Sequence, residues 1–436
     1  MVSLSPSPPA TSRWRVLIFP GATEIAMEIR EALAWCKEAE LFSAGAAVSN
    51  HAPLVFGRHF IVPSVNETGW ESALQTVIAE KCITHIFPAH DETLLALAEN
   101  AALFSARLVT SPLGTCRLTR SKSATLRRLR GLVPTPEIFP DANAVTSFPV
   151  FVKPDCGQGA QGAARARTRD ELLALLAQDT TRIILEDLPG EEFTVDCFSD
   201  RERGLLFASG RGRRRIKSGI AMNSCPVDDP AFATFAQSIH EALALHGAWF
   251  FQLKRDRHGA LKLLEVAPRI GGTSALSRVR GVNLPLLSLY EADRLPVHIT
   301  AAGYDVEIDR ALRNRYRHNL DYRTLYVDFD DTLVVHGRVN FDLVKLLYQA
   351  LHRGVRIVLI TRHAGDLPVA LNHYRLAGLF DEIVHLRAGE PKADFIRESR
   401  AIFIDDSFAE RSEVHQRTGV PVFSPSMIEM LCDERL

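Results

Sequence analysis

Short apolar runs that end in a turn and lead into a helical pattern constrain the fold of this chain more than any other feature. Near the N-terminus the run Val16 to Phe19 enters a Pro20–Gly21 turn, and the segment IAMEIREALAWC follows with helical periodicity. The segment THIFPAHDETLLALAENAALF repeats this strand–turn–helix order. Repeated units of this kind build a doubly wound α/β sheet, which we expect over residues 13–113.

Composition and charge exclude several classes of function. The 51 Lys and Arg residues against 52 Asp and Glu residues leave a formal charge of −1, which argues against a nucleic-acid or membrane-surface binder. No apolar stretch reaches the roughly 18 residues of a membrane span. The Ser/Pro-rich residues 1–12 predict a disordered tail without a signal peptide. The seven cysteines form no CxxC pair and indicate reduced thiols, so we expect a soluble cytoplasmic protein.

A glycine-rich loop follows the apolar strand FPVFVKP in the middle of the chain. Gly157, Gly159 and Gly162 would let the backbone turn its N–H groups toward an anion, and Lys153 would add a compact positive charge for phosphate. A purely structural turn is the alternative. In the following run Leu185–Glu192, acidic residues at a strand end suit an adenine amino group and a ribose diol.

Two oxygen-bearing side chains and an arginine predict a metal and phosphate site further along. The segment FFQLKRDRHGALKLLEVAPRIGGT predicts a hairpin that turns at His258–Gly259, which places Gln252 and Glu265 on adjacent strands. Their oxygens suit Mg²⁺ that bridges phosphates, and Arg269 would grip a developing phosphoryl group or a carboxylate.

The order of these residues resembles the ATP-grasp superfamily, especially the branch related to carbamoyl-phosphate synthetase and PylC-like ligases. The resemblance covers about residues 13–300 and assigns residues 114–300 to the ATP-grasp domain. It implies ATP and Mg²⁺ as cofactors, and a ligase that joins a small-molecule carboxylate to an amine through an acyl phosphate. The ligands that it implies are Lys122 and Lys153 for phosphates, Glu186 with the backbone of Asp187 and Leu188 for adenine, Glu192 for ribose, and Gln252 with Glu265 for Mg²⁺.

One position departs from the family's pattern. The metal strand usually reads Glu-x-Asn-x-Arg, whereas this chain has Ala267 at the asparagine position. Alanine cannot ligate a metal, so water or another residue replaces the amide, or the metal is bound more weakly. An alternative is therefore a nucleotide-binding module that does not ligate and that regulates the C-terminal part. Phosphoryl transfer to a hydroxyl is a third, lower-ranked reading.

A basic segment between the two predicted nucleotide elements is a candidate substrate site. Arg211, Arg213 and Arg215 would hold an anionic substrate or the acyl phosphate, and a solvated basic loop is the alternative. Beyond it, residues 301–322 lie in a polar, weakly periodic stretch that we interpret as a linker with some helix.

In the last part of the chain, polar groups stand at the ends of apolar strands. Because the carboxyl ends of parallel strands meet at one sheet edge, two acids there can share Mg²⁺ while one attacks phosphorus and the other shuttles a proton. Asp328 and Asp330 follow the run TLYV, Thr361 ends the run VLIT, Lys392 opens a helix after Pro391, and Asp405 and Asp406 follow the run AIFI.

This series resembles the haloacid dehalogenase (HAD) superfamily of phosphatases over residues 323–436. The resemblance implies that Asp328 is the nucleophile, Asp330 the general acid/base, Thr361 and Lys392 the phosphoryl ligands, and Asp328, Asp330, Asp405 and Asp406 the Mg²⁺ site. Only 29 positions separate Thr332 from Thr361, and 31 separate Thr361 from Lys392. An independent cap domain needs roughly 50 residues or more, so the site is expected to be uncapped.

The expected fold class is thus an α/β and α+β multidomain protein. It has a doubly wound N-terminal sheet domain, an ATP-grasp fold, and a Rossmann-like HAD domain without a cap. The expected function is a bifunctional enzyme, in which an ATP-grasp ligase is joined to a phosphatase that acts on a phosphorylated metabolite. We expect no nucleic-acid or membrane partner, and a homodimer is left open.

Overall fold

Residues 13–157 and 161–435 are described by a computed structural model of the chain. The chain divides into two units, Met1–Leu312 and Arg313–Leu436, which are described separately. Within the described residues no helix is both long enough and apolar enough to cross a membrane. All seven cysteines are free thiols.

The first unit begins with a five-stranded parallel sheet of order β3-β2-β1-β4-β5. Its strand β1 is buried along nearly its whole length, as expected for a central parallel strand with helices on both faces. The doubly wound sheet predicted from the sequence is confirmed. Its elements are β1 Trp14–Phe19, α1 Glu24–Leu33, β2 Ala39–Gly45, α2 Ala52–Val55, β3 His59–Ile61, α3 Trp70–Glu80, β4 His85–Pro88, α4 Asp91–Glu99 and β5 Arg107–Leu108.

A four-stranded antiparallel sheet of order β6-β9-β7-β8 follows. Strand β7 carries Lys153 near its end, and β9 ends at Glu186, so both predicted residues lie on one small sheet. The elements of this part are α5 Leu113–Arg120, α6 Lys122–Leu129, β6 Ile138–Phe139, β7 Val150–Pro154, β8 Ala164–Ala166, α7 Arg169–Gln178 and β9 Arg182–Glu186.

The rest of the first unit is built on a six-stranded antiparallel sheet of order β14-β13-β10-β11-β12-β15. The predicted hairpin is confirmed, because Gln252 on β13 stands directly opposite Glu265 on β14. The elements are β10 Glu192–Asp200, β11 Gly204–Lys217, β12 Ile220–Val227, α8 Pro230–Ala242, β13 Gly247–Arg255, β14 Leu261–Ala267, α9 Ala275–Val279, α10 Leu284–Ala292 and β15 Ile308–Asp309.

Two sequence interpretations for this sheet are wrong. The basic segment that begins at Arg211 is not a solvated loop, because it forms the second half of β11 and pairs with β12. The stretch 295–323 holds no helix in the structure, and β15 within it pairs with β12 at the sheet edge. A two-residue strand held by backbone hydrogen bonds leaves no periodic signal in the sequence.

The second unit is built on a five-stranded parallel sheet of order β20-β19-β16-β21-β22. Strand β16 lies at the centre of the sheet, and all four of its residues are buried. The residues that follow β16, β19 and β21 lie at the same edge of the sheet. The elements are β16 Thr324–Val327, β17 Val334–Val335, β18 Arg338–Val339, α11 Phe341–His352, β19 Arg356–Thr361, α12 Leu367–His373, β20 Glu382–His385, β21 Ala401–Ile404, α13 Phe408–Thr418, β22 Val422–Phe423 and α14 Ile428–Leu431.

Five short 3₁₀ helices complete the secondary structure of the described residues. They span Ala101–Leu103 and Ala142–Ala144 in the first unit, and Ala377–Leu379, Lys392–Phe395 and Pro425–Met427 in the second. Lys392 therefore opens a short helix after Pro391, as the sequence predicts. The segment 332–361 contains helix α11 and three strands. The segment 361–392 contains helix α12, one 3₁₀ helix and strand β20.

Candidate active sites

A cavity of about 310 Å³ lies between the four-stranded and six-stranded sheets of the first unit. Strands β7 and β9 line it on one side, and β10, β13 and β14 line it on the other. The predicted residues that the structure brings together around it are Lys122, Lys153, Gly157, Glu186, Asp187, Leu188, Glu192, Gln252 and Glu265.

The described part of the glycine-rich loop requires glycine for a steric reason. Gly162 has φ of +69°, and a Cβ atom built there would lie 3.0 Å from Cγ of Pro154. Both the backbone angle and the close approach disfavour any side chain at this position. Lys122 donates a hydrogen bond from Nζ to the carbonyl of Gly157 at 2.8 Å, which ties the loop to helix α6. Gly159 lies outside the described residues.

Lys153 places its amine in the wall of this cavity. Removal from water lowers its pKa to about 8, and the neighbouring Lys122 charge adds to that shift, whereas Glu265 opposes it. Among the residues that the structure describes, the amine has one distant contact, 3.5 Å to the carbonyl of Leu264. A lysine held without a close anionic partner is suited to receive a phosphate.

The carboxylates of the predicted adenine segment are already engaged. Glu186 accepts hydrogen bonds from Nζ of Lys262 at 2.7 and 2.5 Å. Asp187 is paired with Arg165, whose Nε lies 2.6 Å from Oδ1. The Glu186 and Asp187 carboxylates are thus paired within the protein, and both residues line the cavity together with Leu188.

The predicted ribose ligand Glu192 stands at the start of β10. Its carboxylate lies 3.0 Å from Nη1 of Arg213 and 3.7 Å from Nζ of Lys254. Burial lowers the pKa of Arg213, and the negative charges of Glu192 and Glu265 oppose this. Arg213 thus faces both predicted acidic ligands.

Gln252 and Glu265 can supply two oxygens to a metal from opposite positions on β13 and β14. Ala267 is buried opposite Phe250 and contributes no ligand atom. Mg²⁺ is commonly held by one or two protein oxygens together with substrate phosphates and water, so this sparse donor set fits Mg²⁺ in the presence of a nucleotide.

A second cavity of about 550 Å³ adjoins the first, and both are lined by Gly157, Gln161, Arg213, Gly219, Gln252 and Glu265. It reaches the carboxyl ends of β1 and β4, where Thr23, Glu24, His90 and Asp91 line it. A doubly wound sheet binds ligands at this point of its strand order. The shared Gln252 and Glu265 thus stand between two separate spaces.

The predicted substrate arginines differ in their placement. Arg211 is buried in the second cavity, where Asp196 accepts hydrogen bonds from its Nε at 2.9 Å and its Nη2 at 3.0 Å. Arg213 lines both cavities. Arg215 lies on the exposed end of β11, pairs with Asp309 and lines neither cavity. The structure therefore does not bring Arg215 together with the other two.

Arg269 also lines the second cavity, but its guanidinium is paired with Asp91. Nε and Nη2 donate to the two carboxylate oxygens at 2.6 and 2.7 Å. Burial raises the pKa of Asp91, but the Arg269 charge outweighs that effect and leaves the pKa below its usual value. An incoming anion would share or take this guanidinium from Asp91.

In the second unit, Lys392 stands between two buried carboxylates that follow adjacent strands. Its Nζ lies 2.7 Å from Oδ1 of Asp328 and 2.6 Å from Oδ2 of Asp405. Burial raises the pKa of Asp328 to about 6, against the opposing charge of Lys392. Burial would lower the pKa of Lys392, but the two carboxylates outweigh it and raise that pKa.

Asp406 completes a group of three carboxylates. One oxygen each of Asp328, Asp405 and Asp406 lies within 4.8 Å of the others, an arrangement that could hold a metal ion. Thr332 fixes Asp406, because its hydroxyl accepts from the Asp406 backbone N–H at 2.9 Å. Hard oxygen ligands of this kind suit Mg²⁺. Among the described residues this is the only such group of three or more Asp, Glu, His or Cys side chains.

The structure does not bring the carboxylate of Asp330 into this group. Asp330 is exposed, and His363 Nδ1 lies 2.9 and 3.0 Å from its two oxygens. Thr361 is fully buried at the end of β19, and its hydroxyl accepts from the backbone N–H of His363 at 3.2 Å. His363 is not among the residues predicted from the sequence, although it lies two positions after the predicted Thr361.

Replacement of Lys392 by methionine is expected to destabilise the second unit by about 3–5 kcal/mol, because two buried carboxylates would lose their cation. Thermal unfolding without added divalent metal measures this, with the exposed Lys345→Met as the matched control. An unchanged unfolding temperature for Lys392→Met would show that Lys392 does not form the two buried ion pairs with Asp328 and Asp405.

A protein-family model described as ATP-grasp in the biosynthetic pathway with Ter operon matches residues 178–311. No curated protein matches the sequence. The family match ends before the second unit begins.

Solved structures match the fold at low sequence identity. The biotin carboxylase–βγ-ATP complex from Campylobacter jejuni is 13% identical, with a TM-score of 0.55, over 65% of this chain and 72% of that one. The L-amino acid ligase from Bacillus licheniformis is 18% identical, with a TM-score of 0.54, over 65% and 75%. The ADP complex of N5-carboxyaminoimidazole ribonucleotide synthetase is 13% identical, with a TM-score of 0.56, over 68% and 81%. The chain therefore contains the ATP-grasp fold.

Proposed function

We propose that the first unit, which has the ATP-grasp fold, is an ATP-dependent ligase that joins a small-molecule carboxylate to an amine. The observation that carries the proposal is the pair of adjoining cavities that share Gln252 and Glu265. One is lined by the predicted nucleotide ligands, and the other is lined by arginines. A phosphoryl group that leaves the nucleotide would cross this shared boundary to reach its acceptor.

The nucleotide would lie in the first cavity with ATP and Mg²⁺ bound together. Lys122 and Lys153 would contact phosphates, Glu192 would accept from the ribose, and Gln252 and Glu265 would hold Mg²⁺. Bound Mg²⁺ would neutralise charge that develops on the phosphates. The solved structures that match this fold include complexes with βγ-ATP and with ADP, which supports the choice of nucleotide.

The reaction would proceed in two transfers. A substrate carboxylate oxygen attacks the γ-phosphorus, the bond to the β-phosphate oxygen breaks, and ADP leaves an acyl phosphate behind. The amine nitrogen then attacks the acyl carbon, the carbon–oxygen bond to phosphate breaks, and inorganic phosphate leaves. Arg211, Arg213 and Arg269 face this space and would stabilise the negative charge of both steps.

This activity is tested by incubating the protein with ATP, Mg²⁺ and pools of amino acids or sugar acids. ADP release that depends on a carboxylate and an amine, with the condensed product seen by mass spectrometry, is the expected result. No acceptor-dependent ADP release from any pool would remove the ligase claim.

The affinity of the first unit for ATP is expected to fall as the pH rises through about 8. Lys153 is charged below its pKa of about 8 and neutral above it, and phosphate favours the charged form. Between pH 7 and pH 9 the dissociation constant of a non-hydrolysable ATP analogue at fixed Mg²⁺ should rise about tenfold. Lys153→Arg keeps its charge and should flatten the profile, whereas a flat wild-type profile would contradict this role of Lys153.

We further propose that the second unit is a Mg²⁺-dependent phosphatase of the HAD type without a cap. The Lys392 bridge between Asp328 and Asp405, beside Asp406, supports this proposal. Asp328, Asp405 and Asp406 lie at the carboxyl edge of a parallel sheet, where the sequence predicts a phosphoryl-transfer site. The proposed domains span residues 13–113, 114–300 and 323–436, and within the predicted linker 301–322 strand β15 belongs to the six-stranded sheet of the first unit.

In this reaction an Asp328 oxygen would attack phosphorus while the ester oxygen of a phosphorylated metabolite leaves. Asp330 would give that oxygen a proton and then take one from the water that hydrolyses the aspartyl phosphate. Its hydrogen bond to His363 orients Asp330 in the ligand-free state. Thr361 and Lys392 would bind the transferred phosphoryl group, and Mg²⁺ would be held by Asp328, Asp405 and Asp406.

Ala267 supports a second candidate function, in which the first unit binds ATP without ligation and regulates the phosphatase. ATP binding without acceptor-dependent ADP release, together with an ATP-induced change in phosphatase rate, would favour it. We place both activities in the cytoplasm, with small-molecule substrates.

A further inference from the structure

The second cavity contains a carboxylate and a guanidinium to which the proposed chemistry assigns no role. Glu24, at the start of α1, and Arg310, directly after β15, both line it. A Cβ atom built on Gly272 would lie 3.8 Å from Cβ of Glu24 and 3.9 Å from Nη1 of Arg310. The two side chains therefore flank the same small residue in the cavity wall.

Among the described residues neither charge is held in a close ion pair, although the Glu24 and Glu28 charges both act on Arg310. Within the described residues no ion pair within 4.0 Å joins Glu24 to Arg310, and the Glu24 carboxylate accepts no hydrogen bond. Arg310 donates from Nη2 to the carbonyl of Gly272 at 2.7 Å, which leaves most of its five N–H donors unused. By contrast, Arg211 and Arg269 are each paired with an aspartate.

Backbone hydrogen bonds hold Arg310 in place. Its N–H donates to the carbonyl of Met222 at 2.8 Å, which continues the pairing of β15 with β12. Burial lowers the pKa of Arg310, whereas the charge of Glu24 raises it, and a guanidinium remains protonated at neutral pH. The cation is thus fixed at one point of the cavity wall.

We infer that the amine substrate of the ligase is an amino acid, held by its carboxylate on Arg310 and by its ammonium on Glu24. This inference rests on the proposed ligase function. An amino acid carries one charge of each sign a short distance apart, so it satisfies both side chains. An amine without a carboxylate would leave Arg310 unpaired, which is the basis for discrimination against it.

The pair also accounts for the proton that the second transfer releases. The ammonium must lose a proton before its nitrogen can attack the acyl carbon. Glu24 takes that proton and, because it is exposed, returns it to water. The carbon–nitrogen bond forms as the carbon–oxygen bond to phosphate breaks, so the products are the amide and inorganic phosphate.

The test compares amines that differ only in the carboxylate, with one carboxylate substrate held constant. Alanine against alaninamide and serine against ethanolamine are suitable pairs, scored by ADP release and by the mass of the condensed product. The expected kcat/KM is about tenfold or more higher for the amino acid of each pair.

Variants of Arg310 connect that preference to this residue. Arg310→Gln should raise KM for the amino acid about tenfold while KM for ATP and the rate with the carboxylate-free amine stay unchanged. Arg310→Lys should restore part of the loss, and the exposed Arg257→Gln serves as the control. An unaltered KM for ATP shows that the variants are folded.

The possible outcomes separate the two claims. Equal use of alanine and alaninamide, or an unchanged KM for alanine in Arg310→Gln, would overturn the amino-acid assignment and leave the ligase intact. Absence of turnover with every amine would overturn the ligase and the assignment with it.

Discussion

Asp328→Asn is expected to lower the hydrolysis of an aryl phosphate by at least about 10³-fold, because the amide cannot form the aspartyl phosphate. The substitution is isosteric, and Lys392 retains Asp405 as its partner at 2.6 Å. The unit should therefore remain folded. The measurement is the Mg²⁺-dependent release of p-nitrophenol by the full chain.

Two controls make this result specific. Asp394→Asn changes an exposed carboxylate of the same unit that pairs with Arg417, and it should leave the rate within twofold, as is usual for a surface site. ATP-dependent ADP release should be unaffected in Asp328→Asn. Undiminished hydrolysis of the aryl phosphate in this variant would contradict the assignment of Asp328 as nucleophile.

Glu265→Gln is expected to lower acceptor-dependent ADP release by about 10²–10³-fold, because it removes the only carboxylate proposed to hold Mg²⁺ between the two cavities. Its neighbour Ala267 has no oxygen with which to compensate. The rate is followed by a coupled ADP assay at saturating ATP.

The control for this variant is Glu191→Gln, since Glu191 is exposed and lines neither cavity. It should retain the wild-type rate. A Glu265→Gln protein that still releases ADP at the wild-type rate would place the metal elsewhere and contradict the role given to the β13–β14 hairpin.

The sequence predicts residues whose positions follow from regular secondary structure. Asp328 and Asp405 come together because adjacent parallel strands end at one sheet edge. Gln252 and Glu265 come together because a hairpin fixes which residues stand opposite each other. The hairpin register is set locally, whereas β16 and β21 are far apart in the chain, and their carboxylates meet because both strands end at the same edge of a parallel sheet.

Contacts between distant side chains could not be predicted in this way. Arg310 lies beyond a two-residue edge strand that has no periodic pattern, and it reaches the cavity only through tertiary pairing with β12. Arg269 pairs with Asp91, which lies 178 positions away in the chain. Asp91 follows a strand of the parallel sheet, whereas Arg269 follows a strand of the six-stranded sheet. Arg211 and Arg215 are equivalent in the sequence pattern, but they lie at different points of β11. Arg211 is buried in the second cavity, whereas Arg215 is exposed and pairs with Asp309.

The central claim is that the first unit activates a carboxylate as an acyl phosphate at the expense of ATP. The most direct measurement incubates the protein with ATP, Mg²⁺, an amine pool and carboxylate substrates labelled with ¹⁸O in the carboxyl group. We expect each inorganic phosphate released with the condensed product to carry one ¹⁸O atom. Stoichiometric ADP release with phosphate free of the label would contradict it.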